Sequence, residues 1–229
     1  KISVIHDGID TNTLEPDNSS TVLINNKHKF TAANEIITFV NRNLEPYRGF
    51  HIFMRALPEL LKRKPNANVF LVGGDSVSYG RAAPNGKSWK DIFINEVRPS
   101  IPDKDWSRVY FLGQIPYECF INLLQISSVH VYLTYPFVLS WSLLESMSIG
   151  CPIIASNTKP LLEVIKHNHN GRLIDFFDVS GLTKEIIYLL DNPQEARRLG
   201  NNARKFAIDN YDLNSVCLPK QIEWVNSLL

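Results

Sequence analysis

The chain has 229 residues, with 24 Lys and Arg against 23 Asp and Glu for a net charge of +1, and 44% of its residues are hydrophobic. This length suits one large domain with a sizeable core, and the composition excludes a disordered chain or a fibrous repeat. Balanced charge without a dense basic stripe argues against a general nucleic-acid or membrane-surface binder, so an anionic ligand has to be held by a few placed groups.

Residues 1–34 are rich in Asn, Asp, Ser and Thr, and the apolar spot of Ile2, Val4 and Ile5 predicts a short strand followed by loop. From Glu35 onward a regular alternation begins. Short apolar runs at 36–41, 68–73, 108–113, 129–134, 152–156 and 171–175 predict strands buried on both faces, as in a parallel sheet. Between them, 50–64, 89–97, 117–126, 142–149 and 160–165 carry apolar residues three or four apart and predict helices. Strand-helix alternation implies right-handed crossovers and a doubly wound, Rossmann-like α/β domain over 35–229. Helices at 181–190, 193–208 and 216–229 close the chain, the second behind an Asn-Pro start signal. The irregular stretch 74–88, with Gly80, Pro84 and Gly86, is long enough to be a functional loop.

Cys119, Cys151 and Cys217 are far apart in apolar contexts, which excludes a disulfide framework and a C-x-x-C site and fits a reducing cytoplasmic setting. No run of about 18 apolar residues and no signal-like progression is present, so neither a membrane span nor a leader is expected.

In an open parallel sheet, ligands bind beyond the carboxyl ends of the strands, beside helix amino termini. There the first strand delivers Arg42, and Arg48 precedes the next helix, so two guanidinium groups flank one loop and suit a diphosphate. The alternative is that both are ordinary surface arginines. The fourth strand runs through Tyr135, Pro136, Phe137, Val138, Leu139, Ser140 and Trp141 into a helix containing Glu145, a loop whose N–H groups suit a phosphate. Ser142 and Glu145 also have the spacing of a capping box, which would give that glutamate a purely structural task. The G-x-G-x-x-G fingerprint is missing, which disfavours a nicotinamide oxidoreductase, and P-loop, zincin and hydrolase-elbow motifs are absent. His167 and His169 lie in a polar turn without a third ligand and read as solvated rather than metal-binding.

The ordered segments HDGID, VNRNLEPYRG, NVFLVGG, VYFLGQI, FVLSWSLLESMSIGCPIIAS, HNGRLID and NPQEARRLGNNARKFAIDNY resemble the carboxy-terminal domain of family 4 retaining glycosyltransferases of the GT-B fold. The resemblance spans essentially the whole chain and is most specific from Leu143 to Ala155. It implies that the chain is the nucleotide-sugar half of a GT-B enzyme, that residues 1–34 begin at the interdomain segment, and that an acceptor-carrying amino-terminal half is missing. It assigns Arg42 and Arg48 to the diphosphate, although Arg48 stands near a position usually filled by lysine, and Glu145 to the ribose hydroxyls. Phe137 replaces a glutamate that usually lies close to the donor sugar, and a bacterial subgroup is similar in carrying this phenylalanine with a loop like that around Tyr79 to Trp89. The resemblance further sets Val138, Leu139, Ser140 and Trp141 against the sugar and distal phosphate, and Gly113, Gln114 and Ile115 against a base, with uracil favoured.

The implied reaction is retaining transfer of a hexose from a UDP-sugar, without cofactor or metal, to a glycan or lipid-linked acceptor in a bacterial envelope polysaccharide. Nucleic acid is not an expected partner, and peripheral membrane association is expected only through the missing half. The competing reading is a non-catalytic nucleotide-sugar binding module.

Overall fold

The computed structural model describes residues 4–25 and 27–228. Ile2 lies outside that range, and Val4 and Ile5 sit in irregular chain rather than in the expected strand. Where polar loop was expected, Thr21–Ile24 (β1) and His28–Thr31 (β2) pair as an antiparallel hairpin. The hairpin owes its place to tertiary burial. Phe30 meets Phe70 and Tyr110 edge-on, with ring centroids 5.1 and 5.5 Å away, and is buried there with Ile24.

The other strands are Ile36–Asn43 (β3), Asn68–Gly74 (β4), Val109–Gly113 (β5), Val129–Tyr132 (β6), Ile153–Ser156 (β7) and Arg172–Ile174 (β8). All their pairings are parallel, and among the described residues they form one sheet in the order β5-β4-β3-β6-β7-β8. Chain direction across the sheet reverses between β3 and β6, which makes their carboxyl ends the topological switch point of a doubly wound fold.

Along β3, Ile37 and Phe39 face one layer while Ile36 and Val40 face the other. Helices Phe50–Arg63 (α1) and Trp89–Val97 (α2) cover the first face together with Val179–Asp191 (α7). Between α2 and β5 a single turn, Asp103–Trp106 (α3), intervenes. The second face is covered by Tyr117–Gln125 (α4), Trp141–Ile149 (α5) and Pro193–Tyr211 (α8), with Leu14 and Phe30 from the leading segment in the same core.

The expected helix at 160–165 shrinks to one turn, Lys159–Leu162 (α6). The chain leaves the helix because Asn170 takes over its backbone partners: its amide donates to the Val164 carbonyl and its oxygen accepts from Lys166 N–H. The expected terminal helix divides into a π-helical turn, Leu213–Cys217, and Leu218–Asn226 (α9). Asp212 causes the break by accepting from Ser215 N–H and ending α8, while Pro219 sits in the first turn of α9.

α1 starts where it does because of Gly49. Its φ of 72° is left-handed, and a side chain there would overlap Leu133. That turn fixes how Arg48 leaves the sheet edge. On the opposite face, α5 and α8 approach so closely that a Cβ on Gly200 would overlap the Gly150 carbonyl.

Candidate functional site

A cleft of about 530 Å³ opens at the switch point. Val40, Asn41 and Arg42 enter it from the end of β3, Val72 and Gly73 from β4, and Gln114 and Ile115 from the turn after β5. Tyr132 from β6 forms its floor, and Ser140, Ser142 and Glu145 face it from the start of α5. The fold thus brings Arg42, Arg48, Gln114, Ile115, Ser140 and Glu145 together around one cavity.

The two arginines stand in different surroundings. Arg42 is exposed at the rim, and Arg48 is 9% exposed. Arg48 Nη1 donates to Thr134 Oγ1 at 2.9 Å and to Tyr132 Oη at 3.3 Å. Its guanidinium carbon lies 5.1 Å from the Tyr79 ring centre and 5.2 Å from that of Phe137. Among the described residues, neither Arg42 nor Arg48 has a carboxylate within ion-pair distance. Held by rings and hydroxyls, Arg48 keeps its charge free for an anion.

The capping-box expectation for Ser142 and Glu145 fails. Ser140 is the N-cap of α5 and no side chain caps the helix; Ser142 Oγ instead meets Ser140 Oγ at 2.8 Å. Glu145 turns to the cleft, where Tyr117 Oη donates to its Oε1 at 2.7 Å. Burial raises the Glu145 carboxyl above its ordinary value, and the bond from Tyr117 only partly offsets this. Burial, and then the Glu145 bond, push the Tyr117 hydroxyl up as well. Leu143 and Leu144 N–H reach back to the Ser140 carbonyl, whereas the Trp141 and Ser142 N–H groups have no protein acceptor among the described residues. The positive end of α5 therefore faces the arginines across the cavity.

Several expected contacts lie off the cavity wall. Val138 and Trp141 are 68% and 61% exposed, and Leu139 packs against the second core layer. Gly113 is the last residue of β5 and does not line the cleft. Phe137 does not line the cleft either; its ring packs beside that of Tyr79, 4.5 Å away. Tyr79 and Tyr117, absent from the sequence-based site, are both on its wall. Among the described residues no group of three or more His, Cys, Asp or Glu gathers to hold a metal, and Cys119 is exposed rather than buried.

A family model described as Glycosyl transferases group 1 matches residues 23–206. The chain belongs to that family. This family member is similar to spore coat protein SA of Bacillus subtilis (strain 168), with 29% identity over 188 residues, 77% of this chain and 45% of the relative. It is also similar, at 23% identity over 208 residues, to the GDP-mannose-dependent alpha-(1-6)-phosphatidylinositol monomannoside mannosyltransferase of Mycolicibacterium smegmatis, covering 89% of this chain and 51% of that one. Among solved structures, HepE of Anabaena in complex with UDP and glucose superposes with a TM-score of 0.76 at 22% identity, over 99% of this chain and 57% of HepE. The group 1 chain therefore spans about half the length of these relatives, and its fold is that of one half of a GT-B glycosyltransferase.

Proposed function

We propose that this chain is the donor-binding half of a retaining glycosyltransferase, which transfers a hexose from a nucleoside-diphosphate sugar to a glycan or lipid-linked acceptor. The observation that carries the reading is the convergence of Arg42, Arg48, the open N–H groups of α5 and Glu145 on one cleft at the switch point. The diphosphate spans the two guanidinium groups and the α5 amino terminus. Glu145 accepts from the ribose hydroxyls, and the Gln114–Ile115 turn borders the base.

When the sugar leaves, negative charge grows on the departing diphosphate, and cations placed beside it, Arg48 fixed and buried and Arg42 at the rim, stabilise it. On this reading the donor complex needs no metal, because Arg42 and Arg48 supply the compensating charge. UDP is the favoured donor nucleotide. The complex of HepE with UDP and glucose supports it, whereas the mycobacterial relative is named for GDP-mannose. Retention of configuration, action in the bacterial cytoplasm and a role in polysaccharide assembly belong to the same proposal and rest on the family resemblance. The deciding measurement is calorimetric titration with UDP, GDP and UDP-glucose. Saturable binding, tighter for UDP than for GDP, is expected, and failure of all three to bind overturns the proposal.

A further inference from the structure

Glu45 is fully buried, at 0% exposure, two residues beyond the end of β3. Among the described residues no cation lies within ion-pair distance of it. Burying a carboxyl group without a cation is costly unless hydrogen bonds occupy its oxygens. Here the backbone of the loop after β4 does so. Ser78 N–H donates to Oε1 at 3.1 Å, Gly80 N–H to Oε2 at 2.9 Å, and Tyr79 N–H is shared between the two oxygens at 3.3 and 3.5 Å. Asn43 adds a side-chain bond to Ser78 Oγ at 2.7 Å. A Cβ on Gly80 would stand 2.9 Å from Oε2, so the strap lies directly on the carboxyl group.

The residue in the middle of this pinned strap is Tyr79. Its ring lies 5.1 Å from the Arg48 guanidinium, beside the Phe137 ring at 5.2 Å on the same side, and Tyr79 lines the cleft. Arg48 therefore owes its aim to two aromatic faces and two hydroxyls, and one of those faces is set by Glu45 through backbone hydrogen bonds.

We propose that Glu45 is a positioning residue for diphosphate recognition, acting through the Ser78–Gly80 strap to hold Tyr79 against Arg48. This rests on the donor reading of the cleft. Glutamine at position 45 keeps the shape but turns an NH2 group toward backbone N–H donors, so part of the strap loses its acceptor. Leucine at position 79 stays apolar but smaller and removes the aromatic face while leaving the buried carboxyl group untouched.

The test is calorimetric titration of the 229-residue chain with UDP and GDP. It compares wild type, Glu45→Gln, Tyr79→Leu and Arg48→Lys, together with each of the first two substitutions combined with Arg48→Lys. Glu45→Gln and Tyr79→Leu are each expected to weaken UDP binding about tenfold, from lost aim of one charge-assisted contact. In the Arg48→Lys background, where the guanidinium they position is gone, each costs less than about twofold. Equal losses in both backgrounds would show general loosening of the loop and overturn the inference, as would single variants that bind like wild type. If Glu45→Gln fails to fold, Tyr79→Leu in the two backgrounds decides alone. Wild type that binds neither UDP nor GDP overturns the donor reading itself, a result separate from unchanged variants of a binding wild type.

Discussion

Arg42 and Arg48 carry the same charge in opposite settings, and their variants should separate binding from stability. Arg42 is exposed and its side chain makes no protein hydrogen bond among the described residues, so Arg42→Ala is expected to leave thermal unfolding nearly unchanged. It should nevertheless weaken UDP binding by at least about tenfold, a cautious discount on the worth of one oxyanion contact. Calorimetry beside differential scanning fluorimetry reads both quantities. Arg48→Ala strips the donor from the buried hydroxyls of Tyr132 and Thr134, so it should lower both affinity and melting temperature. Glu145 gives a pH signature. Its carboxyl is raised by burial, so folding favours the protonated form, and the associated stability, full below the ordinary glutamate range, is lost as pH rises through the raised value. Near pH 8 Glu145→Gln is therefore expected to unfold at the same or a higher temperature than wild type while binding UDP more weakly. A marked fall in melting temperature would contradict this. The arginine pair could be read from sequence because both members flank one strand-to-helix loop. Glu45 could not, since its partners are main-chain N–H groups more than thirty residues later.

Elements read well from sequence where burial on both faces left an uninterrupted apolar run, as in β3, β4 and β6. They read poorly where a distant contact decided the outcome. The β1–β2 hairpin is a polar stretch until Phe30 is placed against Phe70, and the end of α6 is set by the Asn170 side chain. The break before α9 is another case. There burial raises the Asp212 carboxyl, but bonds from Ser215 and Thr11 outweigh it and hold the group down at about 2. Because the folded value is depressed, Asp212 contributes stability above the ordinary aspartate range and loses it as pH falls from about 4 toward 2. Asp212→Asn should cost about 2 kcal/mol at neutral pH, in the range of hydrogen bonds to a charged group. That corresponds to roughly 4–8 °C in melting temperature for a chain of this size. The gap between variant and wild type should close on acidification below pH 4, and a gap independent of pH would mean that packing rather than charge holds the turn.

At the scale of the whole molecule, the cleft faces outward from the carboxyl edge of a single sheet, and the chain covers about half the length of its relatives. Gripping a diphosphate requires only the groups gathered at that edge. Transfer requires in addition an acceptor hydroxyl held against the sugar and exclusion of competing water, whereas the groups that line the cleft come from the carboxyl edge of the one parallel sheet. Binding and catalysis should therefore come apart in this chain. UDP-glucose at about a hundred times its dissociation constant is expected to stabilise the fold by about 2.7 kcal/mol, a rise of roughly 5–10 °C in melting temperature. Release of UDP, followed with and without an acceptor glycan, is expected to remain slow under the same conditions, because the donor is held while the attacking group is not. Rapid, acceptor-dependent release would show that the acceptor surface is already present on this side of the cleft. No thermal shift with any nucleoside diphosphate would instead show that the arginine pair and the amino terminus of α5 do not act on a common ligand.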